Sequence, residues 1–207
     1  MSRIAPSIVV PSSTSGPAWE VALLFPPQGD WSTEDYLELS ERTNRFVELC
    51  DGRVEVPELP GLTHQKIVAA VYEALNAFVR PRKLGEVVFA PYPVKVGEKT
   101  FREPDLVFVS SENLARLGER FADVADLVVD VLSSDRAHDL VVKRQEYAAA
   151  GILEYWVVDI RDREVIVLTL KEGEYQEHGR YRPGDRASSI VLQGFGIDVS
   201  ELMAVAD

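Results

Sequence analysis

The chain has 207 residues, of which 46% are hydrophobic and 27% charged, and its formal net charge is −12. This composition is ordinary for a globular protein and excludes disordered and fibrous classes. The single cysteine, Cys50, excludes an internal disulfide and a cysteine-based zinc cluster, and no apolar run approaches the roughly 20 residues of a membrane span. We therefore expect a soluble cytoplasmic protein that does not enter membranes.

The N-terminal part of the chain divides by composition. Residues 1–30 are rich in proline and serine, which predicts a flexible arm, and residues 31–207 are expected to form one domain. Hydroxyl and acidic residues from Ser32 predict a short helix ending near Leu39. Two strand-like runs then flank the pair Asp51-Gly52, which is typical of a tight hairpin turn.

The remaining elements alternate between strands and helices. Apolar residues at three- and four-residue steps predict a helix from His64 to Val79, with Thr63 as its cap. A strand, helix and strand from Leu127 to Val158 predict one parallel pair, so we expect an α/β fold with a mixed sheet. The other predicted elements are strands 85–90, 93–97 and 105–109, a short helix at 111–117, a helix at 137–149 and a hairpin of strands 163–170 and 173–181.

Two acidic residues interrupt strand-like apolar runs. Asp105 opens the run that ends at Val109, and Asp130 lies within the run from Leu127 to Leu132. A buried carboxylate costs several kcal/mol unless it is compensated, and a divalent cation is one compensation. These acids are candidates for a catalytic metal site that binds Mg2+ or Mn2+, although an aspartate at a strand start is also a common turn residue.

Three further residues are candidates for the same site. Lys143 lies on the helix after the Asp130 strand, where it could stabilise negative charge or instead pair with Asp139 one turn earlier. Glu48, in the first hairpin, is either a buried acid or an edge residue. His64 opens a helix, so it is either an exposed residue of the capping region or a group that contacts phosphate.

The order of these segments resembles the Uma-type family of restriction endonucleases, which belongs to the PD-(D/E)XK nuclease superfamily. The resemblance covers roughly residues 31 to 203. It is carried by the segments Phe46 to Gly52, Thr63 to Gln65, Glu103 to Val109, Asp126 to Ser133, Lys143 to Tyr147 and Gly151 to Asp159.

The resemblance implies a restriction-endonuclease-like core, a mixed β-sheet flanked by helices, with its site at the sheet edge. Pro104-Asp105 matches the PD element, Asp130 the second acid, and Lys143 a lysine moved from the strand into the following helix. Glu48 and His64 match polar positions near the N-terminus of the family. The chain departs from the family pattern in three places. Leu132 stands where the (D/E)XK lysine would lie, and Asp130 stands where the family usually has glutamate. Ser133-Ser134-Asp135 stands where the family tends to have a Pro-Ser-Thr turn.

We therefore expect a metal-dependent DNA endonuclease in which Asp105, Asp130 and Glu48 bind Mg2+ or Mn2+. In this mechanism Lys143 stabilises the transition state, and His64 is a further catalytic candidate. The alternatives are a catalytically silent binding or assembly module that keeps the fold, and a hydrolase of another phosphoester. Cutting both DNA strands favours a homodimer. Candidates for its interface are apolar residues of the C-terminal part, although core packing is the commoner use of such residues: Val165, Val167, Leu168, Leu170 and the segment 192–202.

Overall fold

A computed structural model describes residues 25–43, 45–132 and 138–207, without the side chains of His138 and Asp139. Most of the predicted N-terminal arm, residues 1–24, lies outside the described residues, as does Ala137, the first residue of a predicted helix. The described end of the arm, from Phe25, lies against the first hairpin. There the Gln28 side chain donates a hydrogen bond to the Val54 carbonyl and accepts one from the Val54 amide. Within the described residues, no helix is both long and apolar enough to cross a membrane.

The strands form two larger sheets and a small hairpin. The first sheet has the order β2-β1-β5-β4, the second β10-β9-β8-β7-β6-β3, and β11 pairs with β12. The strands are β1 (Glu48–Cys50), β2 (Arg53–Glu55), β3 (Gly85–Phe89), β4 (Val94–Gly97), β5 (Thr100–Arg102), β6 (Leu106–Ser110), β7 (Leu127–Val131), β8 (Glu154–Asp159), β9 (Glu164–Lys171), β10 (Glu174–Tyr181), β11 (Arg186–Ser188) and β12 (Gly196–Asp198).

The second sheet contains the predicted parallel pair. Strands β7 and β8 run parallel, with Leu127 opposite Glu154 and Val131 opposite Val158, and their neighbours in the sheet are antiparallel. The hairpin turn is also as predicted, since Asp51 and Gly52 both have positive φ angles, 47° and 74°. The mixed α/β fold expected from the sequence is confirmed.

Helices cover both faces of the six-stranded sheet. On one face, Ile67, Val71 and Leu75 of the long helix pack with core residues that include Val129 and Trp156. On the other face, Tyr147 of a short helix packs with core residues that include Val128 and Val157. The helices are α1 (Thr33–Arg42), α2 (Leu62–Arg82), α3 (Arg144–Ala149) and α4 (Val199–Ala204), with a 3-10 turn at Leu114–Arg116 and a π-helical segment at His138–Lys143 that leads into α3.

Several local predictions need correction. Helix α2 begins at Leu62 with Gly61 as its N-cap, so Thr63 lies within the first turn and does not cap it. The segment before α3 is π-helical because its turns are wider than those of the predicted α-helix. The apolar residues proposed for a dimer interface are mostly core residues, because Val165, Val167 and Leu168 are buried, as are Leu192 and Leu202.

Candidate active site

Asp105 and Asp130 lie at facing positions of two adjacent strands. Leu106 of β6 pairs with Val129 of antiparallel β7, so one further step of this register places Asp105 opposite Asp130. Side chains at opposed positions share a face of the sheet and lie close together. Asp130 lies on the face that α3 covers, whereas the Asp105 side chain, just before β6, contacts the Val131 amide and helix α2. Asp105 and Asp130 are therefore neighbours in the structure, and their role as joint metal ligands stays a prediction.

The Asp105 carboxylate bridges the sheet and helix α2. Its Oδ2 atom accepts a hydrogen bond of 2.7 Å from the amide of Val131 and lies 3.2 Å from Nε2 of His64. Burial would lower the pKa of His64, but the hydrogen bond and the negative charge of Asp105 outweigh it, and the pKa is raised. His64 is thus held against the candidate site, in a mostly buried position.

Asp130 is almost fully buried and is held from the following helical segment. Lys143 Nζ lies 3.3 Å from its Oδ1, and the Tyr147 hydroxyl donates a 3.2 Å hydrogen bond to its Oδ2. Burial and the charge of Asp130 raise the pKa of Tyr147 well above its usual value, so the phenol remains a neutral donor. Lys143 therefore contacts Asp130, which agrees with the interpretation that its amine approaches the candidate site. The alternative, a pair with Asp139, involves a side chain outside the described part of the structure.

Glu48 is the buried acid of the two alternatives left by its strand position. Its Oε1 accepts a 3.0 Å hydrogen bond from the Glu103 amide, and its Oε2 accepts one of 2.8 Å from Arg102. Burial would raise the pKa of Glu48, but the positive charges of Lys143 and Arg102 outweigh it and lower the pKa. Glu48 is therefore ionised at neutral pH and lies in the electrostatic field of Lys143.

Glu103 has the opposite protonation behaviour. Burial and the neighbouring negative charge of Glu48 raise its pKa to about 8, although Lys143 partly offsets both. Its Oε2 atom is buried and has no hydrogen-bond partner among the described residues. The ionised form of Glu103 would therefore be a buried negative charge without the hydrogen bond or ion pair that such a charge requires.

Arg102 connects the first sheet to α3. The side chain is fully buried, and its guanidinium donates two hydrogen bonds to Glu146, of 2.7 and 2.9 Å, and one each to Glu48 and Glu55, of 2.8 and 2.7 Å. Glu146 precedes Tyr147 on α3, so Arg102 ties the strand that carries Glu48 to the helix that contacts Asp130. One guanidinium with three carboxylates leaves this cluster negatively charged.

Sequence reasoning did not assign roles to Arg102, Glu103 and Tyr147. A signal existed for Tyr147, because it follows Lys143 by four residues and so shares its helix face. A weaker signal existed for Arg102, because an arginine next to Phe101 in an apolar strand is buried only if it has acidic partners. Those partners lie 44 to 54 residues away in the chain, so local pattern did not identify them.

The chemistry of the site fits a hard divalent cation. Asp105 Oδ1 has no hydrogen bond to a described residue, Glu103 Oε2 is also without one, and both are oxygen donors of the kind that Mg2+ prefers. Among the described residues, three acidic side chains have ligand atoms that all lie within 4.8 Å of one another, and they are not in this site: Asp159, Asp162 and Glu164. A cation at the predicted site would therefore be bound partly through water, as Mg2+ commonly is.

A mixed sheet between helices, with facing acids at two central strands and a lysine on the next helix, defines a nuclease-like fold. The chain belongs to the Uma2 family, described as "Putative restriction endonuclease", which matches residues 33–200. A solved structure described as a "putative nuclease belonging to DUF820", from Anabaena variabilis, has a similar fold, with a TM-score of 0.70 and 16% identity over 88% of this chain and 100% of that one. No curated protein matches the chain. The family and the restriction-endonuclease-like fold predicted from the sequence are confirmed.

Proposed function

We propose that the protein is a metal-dependent DNA endonuclease that hydrolyses phosphodiester bonds. The observation that carries this proposal is the facing pair Asp105 and Asp130 with Lys143 at 3.3 Å from Asp130. Two carboxylates and a lysine in one place are the groups that cation-assisted phosphodiester hydrolysis uses. The family description supports a nuclease, and DNA and Mg2+ or Mn2+ are the finer parts of the proposal.

In the proposed mechanism, Asp105, Asp130 and Glu48 would hold the cation. When bound, the cation supplies a more acidic water and neutralises charge on the phosphate. His64 fixes the orientation of Asp105 through its 3.2 Å contact, and Asp130 keeps the Lys143 amine within the site. The amine stabilises the extra negative charge that develops on the phosphate oxygens as water attacks.

The helical position of Lys143 replaces the lysine that the superfamily pattern places in the strand. Leu132 occupies that strand position and is part of the apolar surroundings of Tyr147. The Lys143 amine nevertheless reaches the second acid from the last residue of the π-helical segment, just before α3. The departure at position 132 therefore does not remove the lysine from the site.

A second candidate function is a catalytically silent binding module. The observation that favours it is that both oxygens of Asp130 already contact protein donors, Lys143 and Tyr147. A carboxylate satisfied in this way needs no cation to compensate its burial. The net charge of −12 also opposes close approach of DNA when no cation is bound.

Metal binding and DNA cleavage measured on the same variants test the proposal. Mg2+ or Mn2+ should raise the Tm of the wild type through preferential binding to the folded state, and Asp105→Asn should abolish that increase. Lys143→Ala should retain the increase but lose plasmid cleavage, because the amine acts on the transition state. Lys171→Ala, at an exposed position on β9, is the matched control and should cleave like the wild type.

The two functions predict different results. A wild type that cuts no plasmid with Mg2+ or Mn2+ would exclude the endonuclease and leave the silent module. Full activity in Lys143→Ala would remove the lysine from the mechanism. An unchanged Tm increase in Asp105→Asn would place the cation elsewhere in the protein.

A further inference from the structure

Glu103 is a buried acid that the mechanism above does not use. Only 8% of the residue is exposed, and its Oε2 atom has no hydrogen-bond partner among the described residues. Buried carboxylates normally accept hydrogen bonds, pair with a cation or bind a metal. Since Glu103 makes no described ion pair, its free oxygen indicates a missing partner.

The residues around Glu103 show what kind of partner is missing. Its own amide donates a 3.0 Å hydrogen bond to Glu48, which keeps the two acidic side chains as neighbours. When both are ionised, their negative charges repel each other, and Lys143 is the positive charge that acts on both. Anything that binds to Glu103 here must therefore be positive or a strong donor.

The nearby arginine does not supply this charge. Arg102 directs its guanidinium to Glu48, Glu55 and Glu146 and makes no described contact with the Glu103 carboxylate. Lys143 is also in contact with Asp130. Among the described residues of the site, the acids outnumber the permanent cations: Glu48, Glu55, Glu103, Asp105, Asp130 and Glu146 against Arg102 and Lys143.

We propose that Glu103 is a divalent-cation ligand in the candidate active site, an additional carboxylate beside Asp105, Asp130 and Glu48. The inference rests on the proposed function in that it places a cation in this site, but it requires no DNA cleavage. Glu103 is connected to Asp105 through Pro104 alone, so the two acids enter the site from one rigid stretch of chain. A cation there supplies the compensation that the buried oxygen lacks.

Binding of Mn2+ alone, measured by calorimetry and by the electron paramagnetic resonance of free Mn2+, tests the inference. Glu103→Gln keeps the shape of the side chain and removes its charge, and it should weaken Mn2+ binding by at least about tenfold. Glu98→Gln removes the same charge from an exposed turn and should bind Mn2+ like the wild type. Glu103→Asp keeps the charge but shortens the side chain, and it should bind with an affinity between those of wild type and Glu103→Gln.

The results separate this inference from the proposed function. Mn2+ affinity in Glu103→Gln within twofold of that of Glu98→Gln would overturn the ligand assignment, even if the wild type cuts DNA. A wild type that binds no Mn2+ would overturn it as well. Weakened binding in Glu103→Gln together with no plasmid cleavage by the wild type would support the ligand and reject the endonuclease. Melting curves of the variants in chelator show that each is folded before titration.

Discussion

Replacing Arg102 with methionine removes a buried positive charge and keeps most of the aliphatic side chain. The wild-type guanidinium makes four hydrogen bonds to three carboxylates, all between 2.7 and 2.9 Å. After the substitution, Glu48, Glu55 and Glu146 face one another without their shared cation. We expect a large loss of stability because two of these acids cannot reach water easily.

The exposure of each partner sets the size of this loss. Glu55 is 44% exposed and can be hydrated at little cost, whereas Glu48 is 5% exposed and Glu146 is 20% exposed. Removing one partner of a buried ion pair typically costs about 3–5 kcal/mol, because the remaining charge is left uncompensated. We expect Arg102→Met to lower the free energy of unfolding by roughly this amount.

Urea denaturation at neutral pH in chelator measures the effect. Arg120→Met is the matched control, because Arg120 also contacts two carboxylates, Glu34 and Glu41, but on the surface. Exposed ion pairs contribute little to stability because water and salt screen them, so the control should lose far less stability. Adding Glu146→Gln to Arg102→Met should restore part of the loss. Equal effects of Arg102→Met and Arg120→Met, or a loss under about 1 kcal/mol for Arg102→Met, would refute the role of burial in this cluster.

Three other predictions concern pH, backbone conformation and assembly. Glu103 has a pKa of about 8 in the folded protein against 4.5 ordinarily, so the folded state binds more protons, and in chelator stability should fall as pH rises from 5 to 8, by up to ~1.4 kcal/mol per pH unit. His64, whose pKa is also raised, lowers the stability in the same direction as pH rises. In Glu103→Gln the free energy of unfolding should therefore fall less steeply with pH, and an unchanged slope would contradict the Glu103 contribution. Gly85→Ala should destabilise the protein by at least about 2 kcal/mol in the same assay, because φ is +153° and a methyl group would overlap the Val109 carbonyl oxygen. Gly173→Ala, which meets open space, should lose less, and equal losses would argue against the overlap. Light scattering should give a mass near twice 23.1 kDa if two sites act on two DNA strands, and a monomer that persists with metal and DNA would contradict the paired arrangement.

The sequence predicted the structure correctly where neighbouring residues in the chain determine it. Asp105 and Asp130 stand out because they break apolar runs, and the two runs are neighbours in the sheet. The crossover from Leu127 to Val158 predicted the parallel pair because a helix lies between its strands. Asp51-Gly52 predicted its turn because glycine and aspartate tolerate positive φ angles.

The sequence was uninformative where distant residues or competing signals decided the structure. The Arg102 cluster joins residues from β1, β2, β5 and α3, which no short window contains. Glu103 lies between two strands, where an acid is usually exposed, and only the packing of the sheets buries it. Thr63 was the predicted cap of α2, but the helix begins two residues earlier, with Gly61 as its N-cap. Val165 and Val167 were possible surface residues because burial of β9 depends on its neighbours in the sheet.

Because Lys143 lies on a helical segment, the proposed active site combines residues from two layers of the molecule. The acids belong to the six-stranded ladder, whereas Lys143 and Tyr147 belong to a π-helical segment and a helix of six residues. Such a short segment can open locally at a smaller free energy than the whole fold. Undocking it would separate the amine from Asp130 and leave the ladder intact. The form with Lys143 docked against Asp130 and the form without this contact would then differ by one local opening. Amide hydrogen exchange in residues 140–149 would report how often that opening occurs.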